Sequence, residues 1–521
     1  MKYAPKKVKR LAAVITLGIF LLAGGRFYIF WRIKEGIINQ LNALQLDGVD
    51  VHYKTLDVSS WKKHVRITQL EIEFPTLPCS SGVHIPEINI EGISVISFVL
   101  EKSLSFKSVS LDNPLLHFTN NFKLRRWNKE KGGSLNEFKI GQLRIEAGTL
   151  ELIDSSTCKR QTNASLDLVL NQLIVQQPGR DSMTWSVADA RATSLALDLA
   201  DHFYKVSVKQ VAYSKSEKSL RVDSLELAPT LSRMTLAREK GHQIDQLNFI
   251  LPTLEANGLD VGRKSFSARS LALNFQLNVF RDKRFAIALK KPRLMPVRFL
   301  RQLPFHLQID SIKILPSFIS YEEFPEKGDQ PGKIFFNDLQ AQIHHLSNDS
   351  TQDTHLEVTS RFMNAGDLRV NFTFPLKKKE PNTVKGSLTH FSMPAINRML
   401  IPIANMKVES GMMNEMKFQF QYNDSHSKGE LEVNYADLKV LSLRKDPFKT
   451  TNKFISWLFG AFVKRDIHKS DDRDKRIGEI AWKRDPQKGI LNYWWKSVLS
   501  GIKAVFNIDK LPGKKQKAKT K

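Results

Sequence analysis

The sequence alternates apolar and polar residues with a period of two from residue 49 to about residue 440. Clear examples are the runs Tyr204–Val208, Leu368–Phe374 and Phe418–Tyr422. Because successive side chains of a β-strand point to opposite faces, each run predicts a strand with one apolar face and one polar face. Turn sequences such as Asn364-Ala365-Gly366-Asp367 separate the runs at short intervals. We therefore expect a mostly β protein of about twenty strands.

Two arrangements bury the apolar faces of so many strands. One is a long antiparallel sheet that curls along its length and forms a groove, and the other is a set of two or three β-sandwich domains. No Pro/Gly/Ser-rich linker marks a domain boundary, which favours the continuous sheet. Helical periodicity is scarce in this region, with the best candidates near 288–302 and 395–403.

The positive charge of the chain is concentrated at its two ends. The formal net charge is +26, of which residues 1–34 carry +8 and residues 444–521 carry +13, whereas the 409 residues between them carry only +5. A basic surface that binds nucleic acid would lie on the folded region. The distribution instead predicts membrane contact at the termini and no nucleic-acid partner.

The N-terminus has the pattern of a transmembrane anchor. A basic stretch, Met1–Arg10, precedes fifteen uncharged residues, 11–25, and an aromatic cluster follows. Counted from Leu11 through Trp31, the segment has 21 residues, which is about long enough to span a bilayer. The positive flank predicts a cytoplasmic N-terminus, with the bulk of the chain in the periplasm. The alternative is a cleaved signal peptide ending near Ala23-Gly24-Gly25. The predicted anchor residues are Leu11, Val14, Ile15, Leu17, Ile19, Phe20, Leu21, Leu22, Phe27, Tyr28, Phe30 and Trp31.

No pattern of catalytic or metal-binding residues is present in the sequence. It has no Gly-rich phosphate loop, nucleophile elbow or His/Cys metal spacing, so we expect neither an enzyme nor a bound metal or cofactor. The two cysteines, Cys79 and Cys158, exclude a disulfide-rich scaffold. They could form one disulfide bond or remain two separate thiols.

The C-terminal region differs in character from the strands. Residues 454–463 are uncharged, and residues 493–506 have the pattern of an amphipathic helix. These helices could cap the end of the sheet or contact a membrane interface, and the basic tail 510–521 is expected to be disordered. The predicted interfacial residues are Trp457, Phe459, Trp494 and Trp495.

Several segments resemble the AsmA-like family of envelope proteins of Gram-negative bacteria. They include residues 49–75, 86–95, 105–118 and 140–154, and the stretch from Gly386 to Val440 with its Tyr435-Ala436-Asp437-Leu438 strand. The resemblance implies an inner-membrane protein with a curled, groove-forming sheet. It also implies a role in phospholipid transfer or outer-membrane biogenesis, with phospholipid or another acyl lipid as partner.

We divide the chain into four parts. These are the anchor at 1–34, the elongated β region at 35–443, a basic capping region at 444–509 and the tail at 510–521.

The alternative function is a membrane-tethered scaffold that assembles envelope proteins without lipid transport. The residues expected to line a lipid groove are Leu150, Leu152, Val206, Val208, Phe418, Phe420, Tyr422, Leu431 and Val433.

Overall fold

The fold is known from a computed structural model. It describes residues 49–59, 63–74, 79–94, 103–120, 137–179, 182–199, 202–262, 264–287, 292–376, 380–443 and 476–505, with six separate positions between residues 28 and 38. Most of the described residues lie in strands, and few lie in helices. The prediction of a mostly β protein is confirmed. The chain divides into two compact units, Met1–Ser216 and Glu217–Lys521.

The described part of the N-terminal unit is a sheet of long, mostly antiparallel strands. Its strands are β1 (Asp50–His52), β2 (Thr55–Ser59), β3 (His64–Phe74), β4 (Ser81–Glu91), β5 (Ser103–Asp112), β6 (Leu115–Thr119), β7 (Glu137–Ile153), β8 (Arg160–Gly179), β9 (Ser182–Ser186), β10 (Asp189–Asp198) and β11 (Tyr204–Ser214). The sheet runs from β1 and β2 through β3, β4, β5 with β6, β7, β8 and β10 to β11, and β9 also pairs with β8. β5 and β6 lie parallel to β7, an exception that the sequence did not predict.

The buried core of the N-terminal unit lies toward the start of this sheet. Val65 is fully buried, and it packs with other aliphatic side chains of β1 to β5. In the first part of β3, buried residues alternate with more exposed ones, so the period of two in the sequence matches the burial of its side chains.

A disulfide bond joins Cys79 and Cys158, whose Cα atoms lie 5.7 Å apart. Cys79 precedes β4, and Cys158 lies in the turn between β7 and β8. Of the two possibilities that the sequence left open, the structure has the bonded pair.

Removing this bond is expected to destabilise the N-terminal unit. A Cys79→Ser, Cys158→Ser double variant should lose about 2–4 kcal/mol, because the bond closes a long loop in the unfolded chain. Amide hydrogen exchange should then be faster in β3, β4, β7 and β8, whereas the strands Met406–Tyr422 and His426–Ser442 of the other unit serve as the internal control. Two titratable thiols in protein isolated without reductant would contradict the pairing.

The C-terminal unit is a second series of strands with four described helices. Its elements are β12 (Ser219–Pro229), α1 (Arg233–Lys240), β13 (Asp245–Asn257), β14 (Asp260–Gly262), β15 (Ser265–Asp282), α2 (Pro296–Arg301), β16 (His306–Phe324), β17 (Gly332–Ser347), β18 (Thr354–Phe362), β19 (Gly366–Phe374), β20 (Asn382–Ser392), α3 (Asn397–Ala404), β21 (Met406–Tyr422), β22 (His426–Ser442), β23 (Arg476–Lys483) and α4 (Ile490–Val505). A 3₁₀ turn, Met393–Ile396, leads into α3.

Strands β12 to β23 pair in chain order, and both β13 and β14 pair with β15. All these pairs are antiparallel except β15 with β16, which are parallel and are joined by the connection that carries α2. Within each unit the described strands form one sheet, so the alternative of separate β-sandwiches is not observed in the described residues.

The helices agree in part with the sequence. The segments near 288–302 and 395–403 overlap α2 and α3, and the C-terminal helix predicted at 493–506 overlaps α4. Helix α1 was not predicted, because its eight residues show no apolar periodicity that would distinguish a helix from a turn after β12.

Candidate functional site

The predicted anchor lies almost entirely outside the described residues. Of its twelve residues, only Tyr28 and Trp31 are described; both are helical and exposed, with ring centroids 6.0 Å apart. Within the described parts of the chain, no helix has the length and apolar content needed to cross a bilayer. Trp457 and Phe459 also lie outside the described residues.

The N-terminal unit has an apolar face that extends across four strands. Leu150 of β7 pairs with Ala164 of β8, Ala164 pairs with Leu197 of β10, and Leu197 pairs with Val206 of β11. Cross-strand partners lie on the same face of a sheet, so these four side chains form one continuous row. Val208 pairs with Leu195 and extends the apolar surface along β11.

Two further rows cross the same four strands. Ile145, Leu168, Ala192 and Val211 form one, and Leu143, Leu170, Ala190 and Tyr213 form the other. We call the three rows, together with Leu195 and Val208, the open face. Strands about 4.8 Å apart make each row roughly 14 Å wide.

The residues next to the first row point to the opposite face and are polar. Glu151 pairs with Asn163, Asn163 with Asp198, and Asp198 with Lys205. The sheet here therefore has one polar face for solvent and one apolar face that needs a cover.

The described side chains of the open face are half-buried, and Leu143, at one end of the face, packs against the core of the N-terminal unit. Between Thr149 and Ser216, every side chain that the structure describes is half-buried or exposed. Leu150, Val206 and Val208 are half-buried, and Leu152, which pairs with Thr162, is 38% exposed. Apolar surface costs about 25 cal/mol per Å² to leave in water, so a face of this width favours an apolar occupant.

The other five residues predicted to line a groove have a different environment. Phe418, Phe420, Tyr422, Leu431 and Val433 are all buried in the core of the C-terminal unit. They lie on β21 and β22, and helix α4 packs over β22 and β23. In this unit the apolar face is thus a packed core, whereas in the N-terminal unit it is open.

Helix α4 is held against the sheet by aromatic and serine contacts. The Trp494 ring lies 4.4 Å from that of Phe372, and the Tyr493 ring meets Tyr422 edge-on at 5.7 Å. The hydroxyls of Ser497 and Ser427 are hydrogen-bonded at 2.7 Å. Trp494, which the sequence assigned to a membrane interface, therefore packs into the sheet, while Trp495 is 52% exposed.

Small residues allow α4 to approach the sheet closely. A Cβ atom at Gly501 would lie 2.7 Å from side-chain atoms of both Ile480 and Leu431, closer than such contacts occur. The helix also meets the last strand at its edge, because the Ala481 amide donates a hydrogen bond to Ser500 Oγ at 3.2 Å. In the described residues α4 thus covers the apolar face of β22 and β23 and satisfies an amide of β23, the last described strand.

Lys496 is a cation held in this helix–sheet interface, 5.9 Å from the Trp482 ring. Burial lowers the pKa of its ammonium group, and the cations Lys503 and Lys283 lower it further, against the opposing effect of Glu323. Because the folded-state pKa lies below that of the unfolded chain, the charge opposes folding below the folded-state pKa. This penalty disappears as the pH rises toward the ordinary lysine value.

Lys496→Met is accordingly expected to raise the free energy of unfolding at neutral pH, by less than about 1 kcal/mol because solvent screens a partly exposed group. The gain should shrink in the alkaline range. Lys483→Met, at an exposed position of β23, is the control and should leave the free energy of unfolding nearly unchanged. Urea unfolding monitored by tryptophan fluorescence would measure both, and a stability loss in Lys496→Met at neutral pH would contradict the account.

A group of charged residues at the ends of β13, β15 and β16 was not predicted from the sequence. Arg281 pairs with Asp245, Lys283 lies 2.5 Å from Glu323, and the Tyr321 hydroxyl donates to Glu323 at 2.7 Å. Burial, together with Glu323, raises the pKa of the Tyr321 hydroxyl. Every carboxylate here has a cationic partner, which is typical of structural ion pairs.

The described residues contain no group of three or more His, Cys, Asp or Glu side chains that could hold a metal ion. No protein-family model matches the chain, and no curated protein matches it significantly.

Proposed function

We propose that the protein is a membrane-anchored lipid-handling protein of the periplasm, related to the AsmA-like proteins, that holds phospholipid acyl chains on the open face of its N-terminal unit. On this proposal the chain carries out no covalent chemistry. It provides an apolar path along which acyl chains move between membranes during envelope biogenesis.

The observation that carries the proposal is the open face itself. Its first row joins Leu150 to Val206 across four strands, and each of these side chains is only half-buried. Each acyl methylene that leaves water gains about 0.8 kcal/mol. Because the rows repeat with similar side chains, a bound chain could shift along the face in small steps.

Two further observations support an envelope location. The Cys79–Cys158 disulfide fits an oxidising compartment. The sequence at 1–34 has the basic flank, apolar segment and aromatic cluster of an anchor with a cytoplasmic N-terminus.

The packed core of the C-terminal unit limits where lipid binds. The apolar face over Phe420 and Leu431 is occupied by helix α4, so we assign acyl-chain binding to the N-terminal unit alone.

A vesicle assay tests the proposal. The full-length chain, reconstituted in donor liposomes, should accelerate the appearance of a fluorescent phospholipid in acceptor liposomes relative to protein-free donors. Folded protein that gives no acceleration, and that instead co-purifies with specific envelope proteins after crosslinking, would favour the scaffold function.

A further inference from the structure

The connection between β15 and β16 presents cations and large apolar side chains to solvent. Leu294 is 51% exposed and Phe299 is 55% exposed. Arg293 is exposed, and the Arg298 side chain is 59% exposed. We call these four residues, which lie in and just before α2, the α2 patch.

The backbone beneath the α2 patch is fixed to the rest of the C-terminal unit. Met295 is buried in the core, and Arg301 donates hydrogen bonds to the carbonyls of Pro375 and Leu376. The Arg293 amide donates to the Pro486 carbonyl at 2.8 Å. Since these contacts hold the segment in place, the exposure of Leu294 and Phe299 is a feature of the fold.

The segment that carries the patch is positively charged. Residues 292–306 contain three arginines and no carboxylate. Arg298 Nη1 lies 3.7 Å from the Asp424 carboxylate, with both side chains more than half exposed, so the guanidinium still faces solvent.

Helix α4 begins beside this segment and adds apolar surface. A Cβ atom at Gly489 would lie 3.5 Å from Arg293 Nη1, and Leu491 and Trp495 are 67% and 52% exposed. These two residues are one helical turn apart and therefore lie on one side of α4. The Trp495 ring is suited to the depth of lipid headgroups.

We propose that the α2 patch, with Leu491 and Trp495, is a membrane-docking surface that binds the anionic headgroups of a lipid bilayer. Arginines beside projecting Phe, Leu and Trp side chains are the combination that inserts into a charged interface. The surface belongs to the C-terminal unit, is separate in sequence from the predicted anchor, and requires no lipid transfer.

Site-specific fluorescence tests this surface. The full-length Phe299→Cys variant is labelled with the environment-sensitive dye NBD and inserted in phosphatidylcholine nanodiscs, so that the predicted anchor is already in a bilayer. The native cysteines are bonded to each other and stay unlabelled. Added vesicles with 30% phosphatidylglycerol should raise and blue-shift the emission, and brominated acyl chains in those vesicles should quench it.

Charge and position are controlled separately. Adding Arg293→Glu and Arg298→Glu to the labelled variant should weaken vesicle binding about tenfold or more, and pure phosphatidylcholine vesicles should give little response. The control is Val261→Cys, labelled with NBD at a position of β14 in the same unit where the valine is 60% exposed. Its emission should not change when the anionic vesicles are added.

An unchanged emission at position 299, an equal response at 261, or full binding after charge reversal would overturn the proposal. A response to polyglutamate but not to anionic vesicles would assign the surface to an acidic protein and would also overturn it. The assay scores binding alone, so failure of lipid transfer would leave its outcome unaffected.

Discussion

Val206→Glu together with Val208→Glu is expected to reduce phospholipid transfer about tenfold or more, because an acyl chain on the open face would have to cover two carboxylates. Both valines are half-buried and pair with Leu197 and Leu195, so the sheet can accept the change while the apolar row is interrupted. Transfer of a fluorescent phospholipid between liposomes would measure the loss.

The same strand provides a matched control. Lys205 and Lys209 are exposed on the opposite face of β11, and Lys205→Glu with Lys209→Glu is the larger change in net charge. This control should retain transfer. Equal losses in both variants, or no loss in the valine variant with folding verified by hydrogen exchange, would contradict the assignment of the open face.

Leu431→Ala is expected to cost about 2–5 kcal/mol, because the side chain is fully buried beneath α4 and its removal leaves a cavity. Leu150→Ala makes the same chemical change on the open face, where the side chain is only half-buried, and should cost about 1 kcal/mol or less. Amide hydrogen exchange in β22 and in β7 would measure the two costs locally. Equal losses at the two positions would mean that protein covers both faces.

These two leucines also mark the limit of prediction from sequence. Leu150-Glu151-Leu152 and Leu431-Glu432-Val433 have the same alternating pattern, and both correctly predict strands. A period of two is a local property of the chain, so it identifies strands and their apolar faces. Whether the Leu431 face is covered depends on α4, which begins about sixty residues later in the sequence, so the local pattern does not reveal it.

Long-range pairing limited the prediction in the same way. The sequence left the state of Cys79 and Cys158 open, because it does not specify that the β7–β8 turn meets the start of β4. The parallel pairs β5–β7 and β15–β16 interrupt an otherwise antiparallel order, and no local signal marks them. The ion pair between Glu323 and Lys283 likewise depends on the parallel register of β15 and β16.

Photocrosslinking along β11 tests the central claim most directly. A benzophenone amino acid is placed at each position from Tyr204 to Lys209 of the full-length chain in cells, and the irradiated peptides are analysed by mass spectrometry. If acyl chains occupy the open face, lipid adducts will form at Val206 and Val208 and will be absent at Lys205, Ser207 and Lys209. Adducts at none of these positions, or at all of them without alternation, would contradict a lipid-bearing face.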